Sequence, residues 1–276
     1  MSLSFLNVGC GPVFLKSERW LNIDFGAKSN DVIRLDLRHL SKTYPALKFD
    51  GIYSCHVIEH LSISEAKKHL GMCFDRLNEG GVVRVVTPDF RNLVEAYLVH
   101  VANGELHLAS IEKLLLLEQC IRSNKGGWFR QQAKYTEERF PGTAEYLYTR
   151  CGEHVTFGKG YNSKLSLEVN RRGFFERKWS KFRSAFDSFI LSLCRLMLPL
   201  RYKENLLSTD PGERHLWVFD RDEIISMANE VGFSSVKNMS AGQSDVFDKN
   251  DLDYLEIDAS GNERKGNYSM YLELVK

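Results

Sequence analysis

Short apolar runs recur through the first ninety residues, and each ends in glycine, a carboxylate or histidine. They fall at residues 5–8, 20–23, 32–35, 51–55 and 82–86. A short apolar run bounded by turn residues reads as a strand buried on both faces. Five such pulses, separated by helix or loop, predict a parallel doubly wound sheet. The first run enters Gly9, Cys10 and Gly11. Two glycines one residue apart at a strand's C-terminal edge allow a sharp bend and close approach of a ligand, and ligands of open α/β sheets bind at that edge. Taken alone, the same pair serves as an ordinary turn. The second run ends in Asp24, and Asp36 follows the third. The fourth runs into His56, Val57, Ile58, Glu59 and His60, and the fifth stops at Thr87, Pro88 and Asp89. A carboxylate at a strand tip can accept both hydrogen bonds of a ribose diol. Each acid by itself also suits a turn or cap.

Helical periodicity appears between and after these runs. Ser62 with Glu65 forms a capping box, and Ala66, Leu70, Cys73, Phe74 and Leu77 recur at helical spacing until Gly80 and Gly81 close the element. Asp220 with Glu223 forms a second box, followed by Ile224, Met227, Ala228 and Val231, with Gly232 at the end. Residues 234–239 and 269–275 read as the last two strands. The polar stretch 240–267 reads as a long surface loop, with 254–257 as a candidate short strand. Leu108, Ile111, Leu114, Leu115 and Ile121 predict one helix within residues 97–214. The gap from Gly11 to Trp20 is too short for a full helix and two loops. The first crossover is therefore a loop or single turn that Pro12 begins.

The order of these pieces resembles the class I S-adenosylmethionine-dependent methyltransferases. The resemblance rests on Leu6, Asn7, Val8, Gly9, Cys10 and Gly11, on Asn22, Ile23 and Asp24, on Asp36 with Leu37, on residues 50–61, and on Leu77, Asn78, Glu79, Gly80 and Gly81 leading into the fifth strand. It covers residues 4–98 and resumes near His215. It is closest to small methyltransferases that accompany surface-polysaccharide synthesis. It implies a Rossmann-like, mostly parallel seven-stranded sheet whose last strand lies antiparallel between its neighbours. The core would comprise 1–96 and 215–276. Residues 97–214 would form a largely helical insertion after strand 5, acting as a lid or acceptor-binding subdomain. It implies S-adenosyl-L-methionine as cofactor, with Gly9, Cys10 and Gly11 facing its methionine part. Asp24 would hold the ribose, Asp36 and Leu37 would border the adenine, and Cys55 and His56 would line the methyl-donor end. The family's first turn carries an acid where this chain has Asn7, and a third glycine where it has Val13. Asn7 retains the ability to hydrogen-bond the cofactor's amino group. A nicotinamide site would need a helix N-terminus beneath its pyrophosphate; the short first crossover does not provide one, and adenosylmethionine carries no phosphate.

Composition narrows the field. The 276 residues are 43% hydrophobic with a net charge of +1, enough for a core and too balanced for a global nucleic-acid field. No apolar run approaches the ~18 residues needed to span a bilayer. Strand structure starts at once, so no signal peptide is expected, and the expected location is cytoplasmic. The six cysteines lack Cys-x-x-Cys spacing, which argues reduced thiols. Residues 171–203 carry nine basic residues against only Glu176 and Asp187, interleaved with Phe182, Phe186, Phe189, Ile190, Leu193 and Met197. Three readings stay open for this stretch: a helix packed on its own domain, a basic amphipathic helix lying on an anionic membrane, or a surface for an anionic acceptor or partner subunit.

Methyl transfer from a sulfonium is an in-line displacement that demands alignment and exclusion of water. A hydroxyl acceptor also benefits from a general base, for which histidine is best suited. His56 is the first candidate, His215 the second and His154 the third, and each is equally open to a structural role. Asp89 is a candidate substrate contact or helix cap. His154 and Asp89 are the expected substrate residues, and no metal is expected. The acceptor expected from the resemblance is a sugar hydroxyl or glycan precursor. Two alternatives remain: a non-catalytic scaffold or binding protein on the same fold, and a zinc peptidase built on the His-x-x-Glu-His of His56, Glu59 and His60, which needs both histidines on one helix face.

Overall fold

The computed structural model describes residues 4–27, 29–37, 40, 46–123, 127–152, 186, 189–194, 196–199, 209 and 212–276. Seven strands form one sheet: β1 (Phe5–Val8), β2 (Trp20–Asp24), β3 (Ile33–Arg34), β4 (Phe49–Cys55), β5 (Leu77–Pro88), β6 (Ser235–Met239) and β7 (Ser269–Val275). Their spatial order is β3-β2-β1-β4-β5-β7-β6. The first five run parallel, and β7 pairs antiparallel with both β5 and β6. The parallel part is what the apolar pattern predicted, and the antiparallel β7 between its neighbours is what the resemblance implied. No helix lies between Val8 and Trp20, so the first crossover is a loop, as its length dictated.

Alternation along each strand sorts side chains onto two faces. Leu6, Val8, Ile52, Val83, Val85, Leu272 and Leu274 face one core, against α1 (Ile63–Arg76) and α6 (Arg221–Val231). These two helices lie side by side, with the rings of Phe74 and Phe233 5.1 Å apart. Both helices begin at the capping boxes read from sequence, Ser62 with Glu65 and Asp220 with Glu223. The first helix ends earlier than its stripe suggested. Leu77 turns to extended backbone and pairs with Phe49, so it is the first residue of β5, and Gly80 and Gly81 lie within that strand. A neighbouring strand offered the backbone of Leu77 a ladder, which periodicity alone does not register.

On the opposite face, Phe5, Trp20, Tyr53, Val82, Val86 and Tyr271 pack against a helix where a surface loop and a short strand at 254–257 were expected. Residues Lys249–Glu256 form α7, started by Asp248, whose side chain accepts from the N–H of Asn250. Leu252 and Leu255 bury themselves, and Phe247 stacks on Trp20 and lies tilted against Phe5. The segment docks because Arg84, in the middle of β5 and 0% exposed, donates to both oxygens of Glu256 at 2.6 and 2.8 Å, to Glu273 at 3.1 Å, and to the carbonyls of Ser240 and Gln243. A charge this deep is tolerated only with its donors satisfied.

After β5 come α2 (Phe90–Ala102), α3 (Leu106–Ile121), α4 (Phe129–Arg139) and α5 (Thr143–Cys151), where the sequence had marked a helix capped by Asp89 and one helix over 108–121. Leu93, Ile111, Leu114, Leu115, Ala133, Leu147 and Cys151 form their own cluster, which takes in Tyr268 next to β7. Arg150 ties it together, donating to Glu112 at 2.7 and 2.9 Å, to Asn92 at 2.7 Å and to Asn267 at 2.8 Å. Most of the basic stretch 171–203 lies outside the described residues. Within it, Phe186, Phe189, Ile190, Leu193, Leu196 and Met197 are exposed. Among the described residues, no helix is long and apolar enough to cross a membrane.

Candidate functional site

The register of the sheet places Val8 opposite Ile23 on one side and Ser54 on the other. The next residues, Gly9, Asp24 and Cys55, therefore share the C-terminal edge of three adjacent strands. Gly9 and Gly11 adopt φ of +64° and +56°, the left-handed region that glycine enters freely. A Cβ on Gly9 would stand 2.6 Å from Val57 Cγ2, so that position needs glycine for space as well. A Cβ on Gly11 would meet no heavy atom within 4 Å. The N–H of Gly11 donates to Asp24 Oδ2 at 2.9 Å, and Gly26 N–H donates to Oδ1 at 2.6 Å. Asp24 thus stands beside the glycine turn. A carboxylate offers about four lone-pair sites, so two backbone donors leave it acceptor capacity.

The other residues expected around a cofactor divide. Asp36 and Leu37 follow β3, with Asp24 paired to Arg34 in the register, and both are half-buried. Leu37 packs against the α1 and α6 core. Asn7 is 1% exposed and donates to Asn22 Oδ1 at 3.3 Å, while Asn22 donates to the carbonyl of Leu15 at 2.9 Å. Its amide is thus engaged inside the sheet, bracing the loop of the first crossover. Burial, with Asp24 adding to it, pushes the Cys10 thiol up to about 12, and burial raises Cys55 to about 11. Both thiols are protonated near neutral pH. None of the cysteines forms a disulfide.

The fourth strand tip is more elaborate. His56 has φ +53°, a conformation that costs a non-glycine residue energy and that concentrates at functional sites. Its N–H donates to the carbonyl of Val86, which fixes the kink. Its Nδ1 lies 3.0 Å from Glu59 Oε1, a close contact that is not aligned as a hydrogen bond, and its Nε2 lies 3.2 Å from Ser269 Oγ. The imidazole is 14% exposed. Burial lowers its pKa and Glu59 opposes that lowering. Glu59 is 0% exposed and accepts from Thr87 Oγ1 at 3.1 Å. Burial works against its ionisation, yet His56, His60 and His215 hold its carboxyl well below the usual range.

His215 arrives from 159 positions further along the chain. The carbonyl of Glu59 accepts from Leu216 N–H at 2.7 Å, and the carbonyl of Gln119 accepts from His215 N–H at 3.1 Å. These bonds dock the returning segment on the turn after β4. The His215 ring, 4% exposed, meets His60 edge-on at 4.9 Å, and burial pushes it down to about 3. His56 and His215 therefore converge on one carboxylate, Glu59, whose part went unread apart from the peptidase pattern. Its place three residues after His56 was the available signal. Nothing in the sequence pointed to Ser269 or Thr87 as partners.

The peptidase pattern does not form its expected geometry. His56 sits in a left-handed kink, and residues Ile58–His60 form a single 3-10 turn ahead of α1. Asp89 caps α2 by accepting from Arg91 N–H at 2.9 Å, and burial raises its pKa. His154 lies outside the described residues.

No protein-family model matches the chain, and no curated protein matches it in sequence. Among the solved structures similar to it in overall trace are these three. One is a SAM dependent methyltransferase from Archaeoglobus fulgidus, at 11% identity and a TM-score of 0.38, covering 99% of this chain and 86% of that one. Another is PKMT2 from Rickettsia typhi, at 11% identity and a TM-score of 0.39, covering 99% of this chain and 49% of that one. The third is PKMT2 from Rickettsia typhi in complex with AdoHcy, at 12% identity and a TM-score of 0.37, covering 98% and 48%. This chain spans about half the length of the two Rickettsia typhi chains.

Proposed function

We propose that this chain is an S-adenosylmethionine-dependent methyltransferase acting on a hydroxyl group, with His56 as general base. The observation that carries the reading is the shared edge of β1, β2 and β4. There a left-handed glycine turn, a carboxylate bonded to it, and a strained histidine stand on three adjacent strand tips. The residues fit the group: Gly11 leaves room for close approach, and Asp24 keeps acceptor capacity for a ribose diol. Asp36 and Leu37 would flank the adenine. When bound, adenosylmethionine supplies an electrophilic methyl on sulfur.

The chain's own part is to hold and move a proton. Glu59 beside Nδ1 favours the tautomer with the proton on that atom, which leaves Nε2 as the acceptor for an acceptor hydroxyl. Ser269 Oγ lies 3.2 Å from Nε2, and the acceptor hydroxyl would take the place of that contact. Positive charge gathering on the imidazole is balanced by the buried carboxylate. His215 is the poorer base, because it is nearly sealed and its ring abuts His60. A saccharide acceptor, entering beneath residues 97–214 as a lid, follows from the family resemblance alone.

Calorimetry with adenosylmethionine and adenosylhomocysteine tests the cofactor, and a methyl-transfer assay across free and nucleotide-linked sugars tests the acceptor. Binding of neither compound would overturn the reading. Binding without transfer to any hydroxyl would replace the enzyme with a cofactor-keeping scaffold.

A further inference from the structure

We propose that Glu59, His60 and His215 bind one divalent transition-metal ion of zinc-like character. Each side chain offers one ligand atom, and these atoms lie within 4.8 Å of one another. Metal–ligand bonds of about 2.0–2.2 Å to imidazole and carboxylate set ligand atoms roughly 3.5 Å apart in a tetrahedron, so the three need to draw in by about 1 Å. Two histidines and one glutamate leave a fourth position for water or substrate. This ligand set differs from the His-x-x-Glu-His pattern, because it drops His56 and recruits His215 from the far side of the insertion.

Three features prepare the atoms for this role. His60 Nδ1–H donates to the carbonyl of Arg214 at 2.9 Å, which leaves the Nε2 lone pair free, the way supporting hydrogen bonds orient metal-bound imidazoles. Thr87 donates to the Glu59 carboxylate and holds it in place. Among the described residues, Glu59 Oε1 is buried and has no hydrogen-bond partner, which leaves an acceptor atom of this carboxylate unmatched. His60 is half-buried and gives an ion a path inward.

Glu59 is fully buried, and a buried carboxylate is stabilised by a positive charge beside it, which a divalent cation would provide. It would also clamp the turn after β4 to the returning segment 212–217.

The test uses the full chain, stripped by dialysis against a chelator and titrated with Zn²⁺ by calorimetry and with Co²⁺ by visible absorption. We expect one ion per chain, cobalt bands of nitrogen and oxygen coordination, and no thiolate-to-cobalt charge transfer. His60→Gln and His215→Gln should each weaken binding more than the roughly 10–100-fold that loss of a supporting hydrogen bond causes. Should the variants unfold, paramagnetic broadening of His60 and His215 proton resonances by Co²⁺ in the native chain decides the question. Absence of stoichiometric binding, a thiolate signature, or unchanged affinity in both variants would overturn the proposal. No methyl donor enters the measurement, so its outcome is independent of the proposed transfer activity.

Discussion

The backbone N–H of Gly11 donates to Asp24 Oδ2 at 2.9 Å, closing the turn after β1 onto the tip of β2. One carboxylate thereby shapes the glycine bend, and in the proposed function it holds the ribose. Asp24→Asn keeps an acceptor oxygen for only one of the two backbone donors, Gly11 or Gly26, and turns its amide NH2 toward the other, so it should loosen this turn without unfolding the sheet. It should weaken adenosylhomocysteine binding at least tenfold, because hydrogen bonds to a charged acceptor are worth about 1.5–3 kcal/mol. Calorimetry at constant salt reads this directly.

The two glycines should respond differently. Gly9→Ala forces a positive φ on alanine and drives its Cβ against Val57. It should cost about 1–3 kcal/mol of stability, seen as a lower urea midpoint. Gly11→Ala meets no neighbour, so its stability loss should stay near the lower end of that range. Its larger effect should be on cofactor affinity. Equal effects of the two variants on both properties would contradict the geometry.

His56 and Glu59 make a pH prediction. A general base works in its neutral form, so kcat/KM should rise with pH through the His56 pKa and then level off. Burial places that pKa below the ordinary value of about 6.5, so the rising limb should lie on the acid side of neutrality. Glu59→Gln removes the group that raises it. The limb should then shift to still lower pH while the plateau rate falls. His56→Gln should cost about 10²–10⁴-fold in rate with adenosylhomocysteine affinity nearly unchanged. A Glu59→Gln limb that moves to higher pH would contradict the pairing.

Arg84 holds α7 to the sheet through Glu256 and Glu273. Arg84→Met leaves two carboxylates buried without a cation, and should destabilise the fold by about 3–5 kcal/mol. Because Trp20 donates to Asp251 at 2.8 Å, detachment of α7 should also shift tryptophan fluorescence before global unfolding. A urea titration followed at both probes tests the order of events.

His69 gives a stability prediction away from the site. It is buried next to Ser54 and Cys73, and burial lowers its pKa to about 4. Between about pH 4 and 6.5 the unfolded chain binds a proton there that the folded chain does not. Stability should therefore fall as pH drops through that window, by at most about 1.4 kcal/mol per pH unit from this residue. His69→Gln should flatten the slope in chemical denaturation series at fixed pH.

The elements legible in the sequence are those decided by near neighbours. β1 and its glycine turn, both capping boxes and the missing first-crossover helix depend on residues within one or two turns of each other. Asp24 and Asp36 were readable because strand tips follow from strand positions. The bond from Asn7 to Asn22 was not legible, since Asn22 reaches it only through the parallel pairing of β1 and β2. α7 was missed because its burial depends on Arg84, an arginine inside an apolar strand that a local pattern assigns to solvent. The extra helices α4 and α5 were missed for a similar reason. Their apolar positions are sparse, and Arg150 with Glu112 supplies much of the cohesion.

By itself, the sequence determined the alternation of strand and helix, the bend at Gly9 and Gly11, and the acids that end the second and third strands, because short-range sterics and periodicity act along the chain. Tertiary structure alone decided that His56, His60 and His215 surround Glu59, and that Arg84 finds its carboxylates in α7 and β7. Apart from His56 and His60, which neighbour Glu59 in the chain, those meetings join positions more than a hundred residues apart. They arise from sheet order and the return path of the insertion, and the burial they create is what sets the charge of each group.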